Sequence, residues 1–79
     1  MQITILLFGA TADLVGEREL VLELPDGSTV GEVLPNLKQK NPGLSKHKLL
    51  VALNEEYVSH DTRVRNGDML AVFTAVSGG

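Results

Sequence analysis

The sequence predicts a two-layer α+β domain, with one helix laid across one face of a mixed sheet, and three observations carry that expectation. The first residues alternate as a strand does, a single amphipathic stripe of helical period follows a capping signal mid-chain, and the second half returns to strands. Only one segment is long enough to be a covering helix, so one sheet face is buried beneath it and the other has no second layer. A chain of 79 residues buries about 60 to 65% of its unfolded surface, enough for one core and not for two.

Each element has a local cause. Residues 2–8, Gln-Ile-Thr-Ile-Leu-Leu-Phe, set Ile3, Ile5 and Leu7 on one face and Gln2, Thr4, Leu6 and Phe8 on the other, a strand. Gly9 to Gly16 reads as a loop with room for one helical turn around Asp13, Leu14 and Val15. Residues 19–24 alternate again, with Leu20, Leu22 and Leu24 on one face. Pro25-Asp26-Gly27-Ser28 is a turn in which Pro presets φ and Gly supplies a positive φ. Thr29 and Glu32 then match a capping box, and Val30, Val33, Leu34 and Leu37 recur at helical spacing, so a helix is expected from Thr29 to Lys40. Pro35 inside it predicts a kink near residues 31–35, and Asn41-Pro42-Gly43 ends it. A loop through His47 leads to a nearly continuous apolar run over residues 49–54, suited to a covered strand. Glu55-Glu56 turns the chain into a short strand at Tyr57-Val58, and Asn66-Gly67-Asp68 precedes a last strand from Met69 to Val76.

Composition excludes several classes of function. The net charge of −3, with seven scattered basic residues, leaves no electrostatic footprint for a nucleic-acid backbone. Residues 1–8 are apolar but too short to span a membrane and lack the basic start and cleavage site of a signal peptide, so a cytoplasmic protein without membrane contact is expected. Without Cys there is no thiol nucleophile and no thiolate metal ligand, and the composition suits a reducing compartment. His47 and His60 stand alone, without metal-ligand spacing or a nearby nucleophile, and no metal site is expected. Asp61 and Asp68 are read as turn residues, Lys38, Lys40, Lys46 and Lys48 as a solvated face. Gly9 and Gly16 make no dinucleotide fingerprint, because no helix of the required spacing follows the first strand.

The end of the sequence is the strongest functional signal. It closes on Ser77-Gly78-Gly79, and two final glycines arise by chance in roughly 0.5% of chains. A terminal carboxylate preceded by residues without bulk suits chemistry at the chain end, inside a site too narrow for a side chain. Extended at about 3.3 Å per residue, the stretch from Ala75 reaches roughly 16 Å. The expected organisation is a domain over residues 1–75 and a flexible tail over residues 76–79.

The ordered set of Leu7-Phe8-Gly9, Leu14-Val15-Gly16, Leu24-Pro25-Asp26-Gly27 with Thr29-Val30, Ala52-Leu53-Asn54 with Tyr57-Val58, Gly67-Asp68 and Val76-Ser77-Gly78-Gly79 runs the whole chain. It resembles the ubiquitin-like β-grasp family of sulfur carriers, and most closely its branch of molybdopterin synthase small subunits. Where that branch commonly has two prolines before its end, Thr74-Ala75 stands here. The resemblance implies a β-grasp sheet of four to five strands whose first and last are parallel neighbours. It also implies that Gly79, with Gly78 before it, is adenylated by an ATP-dependent E1-like partner and converted to a thiocarboxylate. That group donates sulfur to a pterin precursor in molybdenum cofactor biosynthesis, while the chain is docked on the synthase large subunit as part of a heterotetramer. The other catalytic groups are then expected on the large subunit, ATP is used by the adenylating partner, and no cofactor is bound by the chain itself. A thiamine-type sulfur carrier and a ubiquitin-like modifier conjugated to lysines remain open alternatives.

Phe8, Tyr57 and Phe73 are the sequence's aromatic residues, and none falls on the helical stripe. Phe8 shares a face with Gln2 and Thr4 and is expected to point away from the helix. Phe73 is ambiguous, since Met69-Ala71-Phe73 and Leu70-Val72 are both plausible inward sets. An aromatic patch beside the tail is a candidate docking surface, and the resemblance matches Phe8, Tyr57, Phe73, Val76 and Ser77 to partner-binding positions.

Overall fold

A computed structural model of the chain describes residues 1–74. The expectations for Val76, Ser77, Gly78 and Gly79, the last two residues of the final strand and the boundary between residues 75 and 76 therefore lie outside the described residues.

Strand β1 (Gln2–Leu7) leads into helix α1 (Ala10–Val15), strand β2 (Glu19–Glu23), helix α2 (Val30–Lys40) and a 3-10 turn (Pro42–Lys46). Strands β3 (Leu49–Leu53), β4 (Glu56–Tyr57) and β5 (Met69–Thr74) follow. The strands form one sheet in the order β2-β1-β5-β3-β4. β1 and β5 are parallel, pairing Thr4 with Met69 through to Leu7 with Val72, and the other neighbours are antiparallel. This is the β-grasp arrangement the resemblance implied.

α2 lies against one face because its buried residues are the four of the sequence stripe, Val30, Val33, Leu34 and Leu37. They meet Ile3, Ile5 and Leu7 of β1, Leu22 of β2, Val51 of β3, and Leu70 and Val72 of β5 in one core. Each such side chain contributes about 1.5–3 kcal/mol by leaving water. The capping box forms, with Thr29 N–H donating to Glu32 Oε1 at 3.2 Å. α2 runs without interruption across Pro35, which faces solvent.

Three local features differ from the sequence expectation. The loop after β1 holds a six-residue helix instead of a single turn. It is entered through Gly9 at φ 55 and ψ −121 and closed by Gly16 in the left-handed region, two conformations that glycine adopts without a Cβ penalty. The segment after α2 is a 3-10 turn that buries Leu44 completely. The β3–β4 hairpin turns one residue earlier than expected: Asn54 (φ 48) and Glu55 (φ 72) form its two-residue loop, and β4 is Glu56–Tyr57. Positive φ at both positions of a two-residue hairpin loop is the type I′ pattern, which Asn tolerates and Glu adopts at a cost.

Candidate functional site

Since α2 covers one face of the sheet, the outward side chains of the five strands lie on the opposite face, which is uncovered among the described residues. In register across it stand Leu6 of β1 opposite Ala71 of β5, and Ala71 opposite Ala52 of β3. Tyr57 of β4 is opposite Ala52, and Leu50 of β3 is opposite Phe73 of β5. The two alanines leave the centre of this face low between larger neighbours. The result is an open depression of about 360 Å³ lined by Leu6, Phe8, Ala52, Asn54, Glu55, Met69 and Ala71.

The register resolves Phe73. Leu70 and Val72 are fully buried beneath α2, so Met69, Ala71 and Phe73 take the outward positions of the same strand. The Phe73 ring meets Tyr57 edge to face at 6.0 Å between centroids. Tyr57 is 74% exposed and Phe8 53%, so neither is a core residue. All three aromatic residues thus stand on or beside the uncovered face. Tyr57 and Phe73 touch, and Phe8 lies across the depression with Leu6 and Met69. Apolar side chains gathered on exposed surface in this way make this face a candidate interaction site.

Hydrogen bonds hold the rim. Asn54 Oδ1 accepts from Met69 N–H at 3.1 Å, and Asn54 Nδ2 donates to Asp68 Oδ1 at 3.2 Å. Asp68 Oδ2 accepts from Arg65 N–H at 2.7 Å, the turn-capping role expected of it. At the opposite end of β5, the fully buried Thr11 in the first turn of α1 takes Phe8 N–H on its hydroxyl at 3.0 Å. The same oxygen lies 2.8 Å from the Val72 carbonyl oxygen. Sequence reading passed over Thr11 and Asn54: beside the local Phe8, Thr11 has a partner in Val72, 61 positions away, that no local pattern announces.

Among the described residues, conventional catalytic groups are not assembled on this surface. His47 and His60 are exposed and far apart in the chain, and His60 serves through its backbone carbonyl, which accepts from Gly31 N–H at 2.9 Å. Among the described residues no three His, Asp or Glu side chains are grouped as a metal site requires, and no helix is long and apolar enough to cross a membrane. The geometry suits binding, and one strand of this candidate face, β5, runs on in sequence toward the double glycine.

The ThiS family model matches residues 5–79, which includes β5 and the Gly-Gly end. The chain belongs to the ThiS family. A molybdopterin synthase sulfur carrier subunit of Arabidopsis thaliana is 37% identical to this ThiS-family chain over 81 residues, covering 100% of the chain and 84% of the relative. One of Haemophilus influenzae is likewise 37% identical, over 98% of the chain and 99% of its own length. Among solved structures, a Pyrococcus furiosus chain described as molybdopterin converting factor subunit 1 superposes with a TM-score of 0.90 at 24% identity, over 96% of this chain and 99% of that one. The small archaeal modifier protein 1 of Haloferax volcanii gives 0.85 at 26% identity, over 95% and 98%. A chain in the complex of subunits 1 and 2 of the Helicobacter pylori molybdopterin-converting factor shares the fold at 0.70 and 21% identity, over the whole of both chains.

Proposed function

We propose that this ThiS-family chain is the sulfur-carrier subunit of a molybdopterin synthase. The observation that carries the reading is the double role of β5. Its outward residues Met69, Ala71 and Phe73 belong to an uncovered apolar face, and the same strand leads in sequence to Ser77-Gly78-Gly79. Docking and delivery are thereby joined in one element. The two relatives quoted from Arabidopsis and Haemophilus, both named as sulfur carrier subunits of this synthase, support the same reading.

The chemistry follows from the state of the chain end. A carboxylate at neutral pH is a poor acyl donor, so Gly79 must be activated before sulfur can replace oxygen. An ATP-dependent adenylating partner forms the acyl-adenylate with loss of pyrophosphate, and attack by hydrosulfide on its carbonyl carbon displaces AMP and leaves a thiocarboxylate. Its ionised sulfur has the nucleophilic advantage that thiolates hold over thiols. A chain with no Cys carries sulfur only at this end. Phe8, Tyr57 and Phe73, with Val76 and Ser77 beyond them, dock on the synthase large subunit, which provides the remaining groups of the reaction. The name of the relatives makes each of them a subunit, which supports such a partner. A cytoplasmic location follows from the same assignment and from a composition suited to a reducing compartment.

A second reading, a protein modifier joined through Gly79 to lysines, is favoured by the 26% identity to small archaeal modifier protein 1. One reconstitution separates the two. With the adenylating enzyme, ATP, a sulfur source, the large subunit and the pterin precursor, a sulfur carrier yields sulfur-bearing pterin in proportion to the chain added. A modifier instead yields isopeptide-linked conjugates and no pterin product.

A further inference from the structure

The parallel ladder between β1 and β5 follows a regular course until Thr11 interrupts it. Thr4 N–H donates to the Asp68 carbonyl at 2.9 Å, and the last residues in register are Leu7 and Val72. Continuing the alternation, the next rung would join Phe8 N–H directly to the Val72 carbonyl at about 2.9 Å. A hydroxyl stands there instead. Phe8 N–H donates to Thr11 Oγ1 at 3.0 Å, and the one hydroxyl proton of Thr11 has two acceptors in reach, Val72 O at 2.8 Å and Phe8 O at 2.9 Å. The hydroxyl thus takes the place of a direct rung between the two strands. Past it, β1 turns into α1, while β5 continues in its antiparallel pairing with β3 as far as Leu49 and Thr74.

Thr11 therefore sits at the root of the functional end. It is fully buried. We infer that Thr11 is a positioning residue for sulfur transfer, its hydroxyl setting the direction in which β5 leaves β1 toward Gly78-Gly79 and fixing the backbone of Phe8 on the docking face. This inference rests on the sulfur-carrier reading. A valine has the same shape without the hydroxyl, so Thr11→Val leaves Phe8 N–H and Val72 O unbridged at constant volume, whereas Thr11→Ser keeps the bridge.

The test uses thiocarboxylated chain assembled with the large subunit and the pterin precursor, and reads single-turnover sulfur transfer at saturating large subunit. Ser28→Ala serves as a control for lost stability, because it removes another buried hydroxyl, bonded to Pro25 O at 2.7 Å, from the turn before α2. Thr11→Val is expected to slow the saturated step about tenfold while its circular dichroism remains that of folded protein. Thr11→Ser and Ser28→Ala are expected to transfer at the wild-type rate. Should the Val variant not fold, Thr11→Ala asks the same question of the hydroxyl with a smaller side chain. Wild-type transfer by whichever folded variant lacks the hydroxyl overturns the positioning role and leaves the sulfur-carrier reading intact. Absence of transfer by the wild-type chain overturns both.

Discussion

Phe73 projects from the outward side of β5 with its ring 6.0 Å from that of Tyr57, so its replacement separates docking from folding. Phe73→Ser is expected to weaken binding to the large subunit by about 2 kcal/mol, as truncation of an aromatic anchor does, in a titration followed calorimetrically. Urea unfolding should show a loss well below the about 3–5 kcal/mol of a deleted core aromatic. A loss of that larger size with unchanged affinity would place the ring in the core. The sequence left this residue open for a physical reason: both faces of β5 are apolar, so alternation alone names no inward side. Only the register with β1 and β3, a property of distant chain segments, assigns Leu70 and Val72 to the core. Phe8 was legible because its strand has polar Gln2 and Thr4 on the same face.

At the scale of elements, α2 and the β3–β4 hairpin offer opposite tests. Thr29→Ala removes a side chain of the capping box and is expected to cost about 1 kcal/mol in denaturant unfolding. Glu55 holds φ 72 in the hairpin loop, and Glu55→Gly is expected to raise stability by up to about 1 kcal/mol, since glycine takes that conformation without a Cβ penalty. An unchanged or lowered midpoint for Glu55→Gly would show that the Glu side chain contributes more than its backbone costs. Gly31 weighs two effects against each other. Alanine gains about 1 kcal/mol of helix propensity, but its Cβ would meet the Cβ and the carbonyl oxygen of His60, each at 3.2 Å. Overpacking of that kind costs about 1–3 kcal/mol, so Gly31→Ala is expected to lower the unfolding free energy on balance. α2 was legible almost residue by residue, because its cap and stripe are local in sequence. The hairpin loop was misplaced by one residue, because Glu carries no signal of a positive φ. α1 was underread because six residues give too little periodicity to distinguish a helix from a turn.

For the whole molecule, the core of the described residues runs from Ile3 to Val72, and function is assigned to a chain end that lies outside the described residues. Fold and double glycine were both legible, the one as periodicity and the other as composition at a position. The coupling between them through Thr11 was not, since it depends on a contact across 61 positions. Gly78→Val accordingly is expected to leave the unfolding free energy within about 0.5 kcal/mol of wild type and yet to block activation, because a β-branched side chain stiffens and widens the end that must enter two narrow sites. The most direct measurement is the intact mass of the chain after incubation with its adenylating partner, ATP and a sulfur source. Wild type should gain the mass difference of one oxygen exchanged for sulfur, while Gly78→Val and a chain lacking Gly79 should gain nothing. Sulfur loading of the Val variant at the wild-type rate, or no loading of the wild-type chain, would contradict the assignment of sulfur chemistry to this terminus.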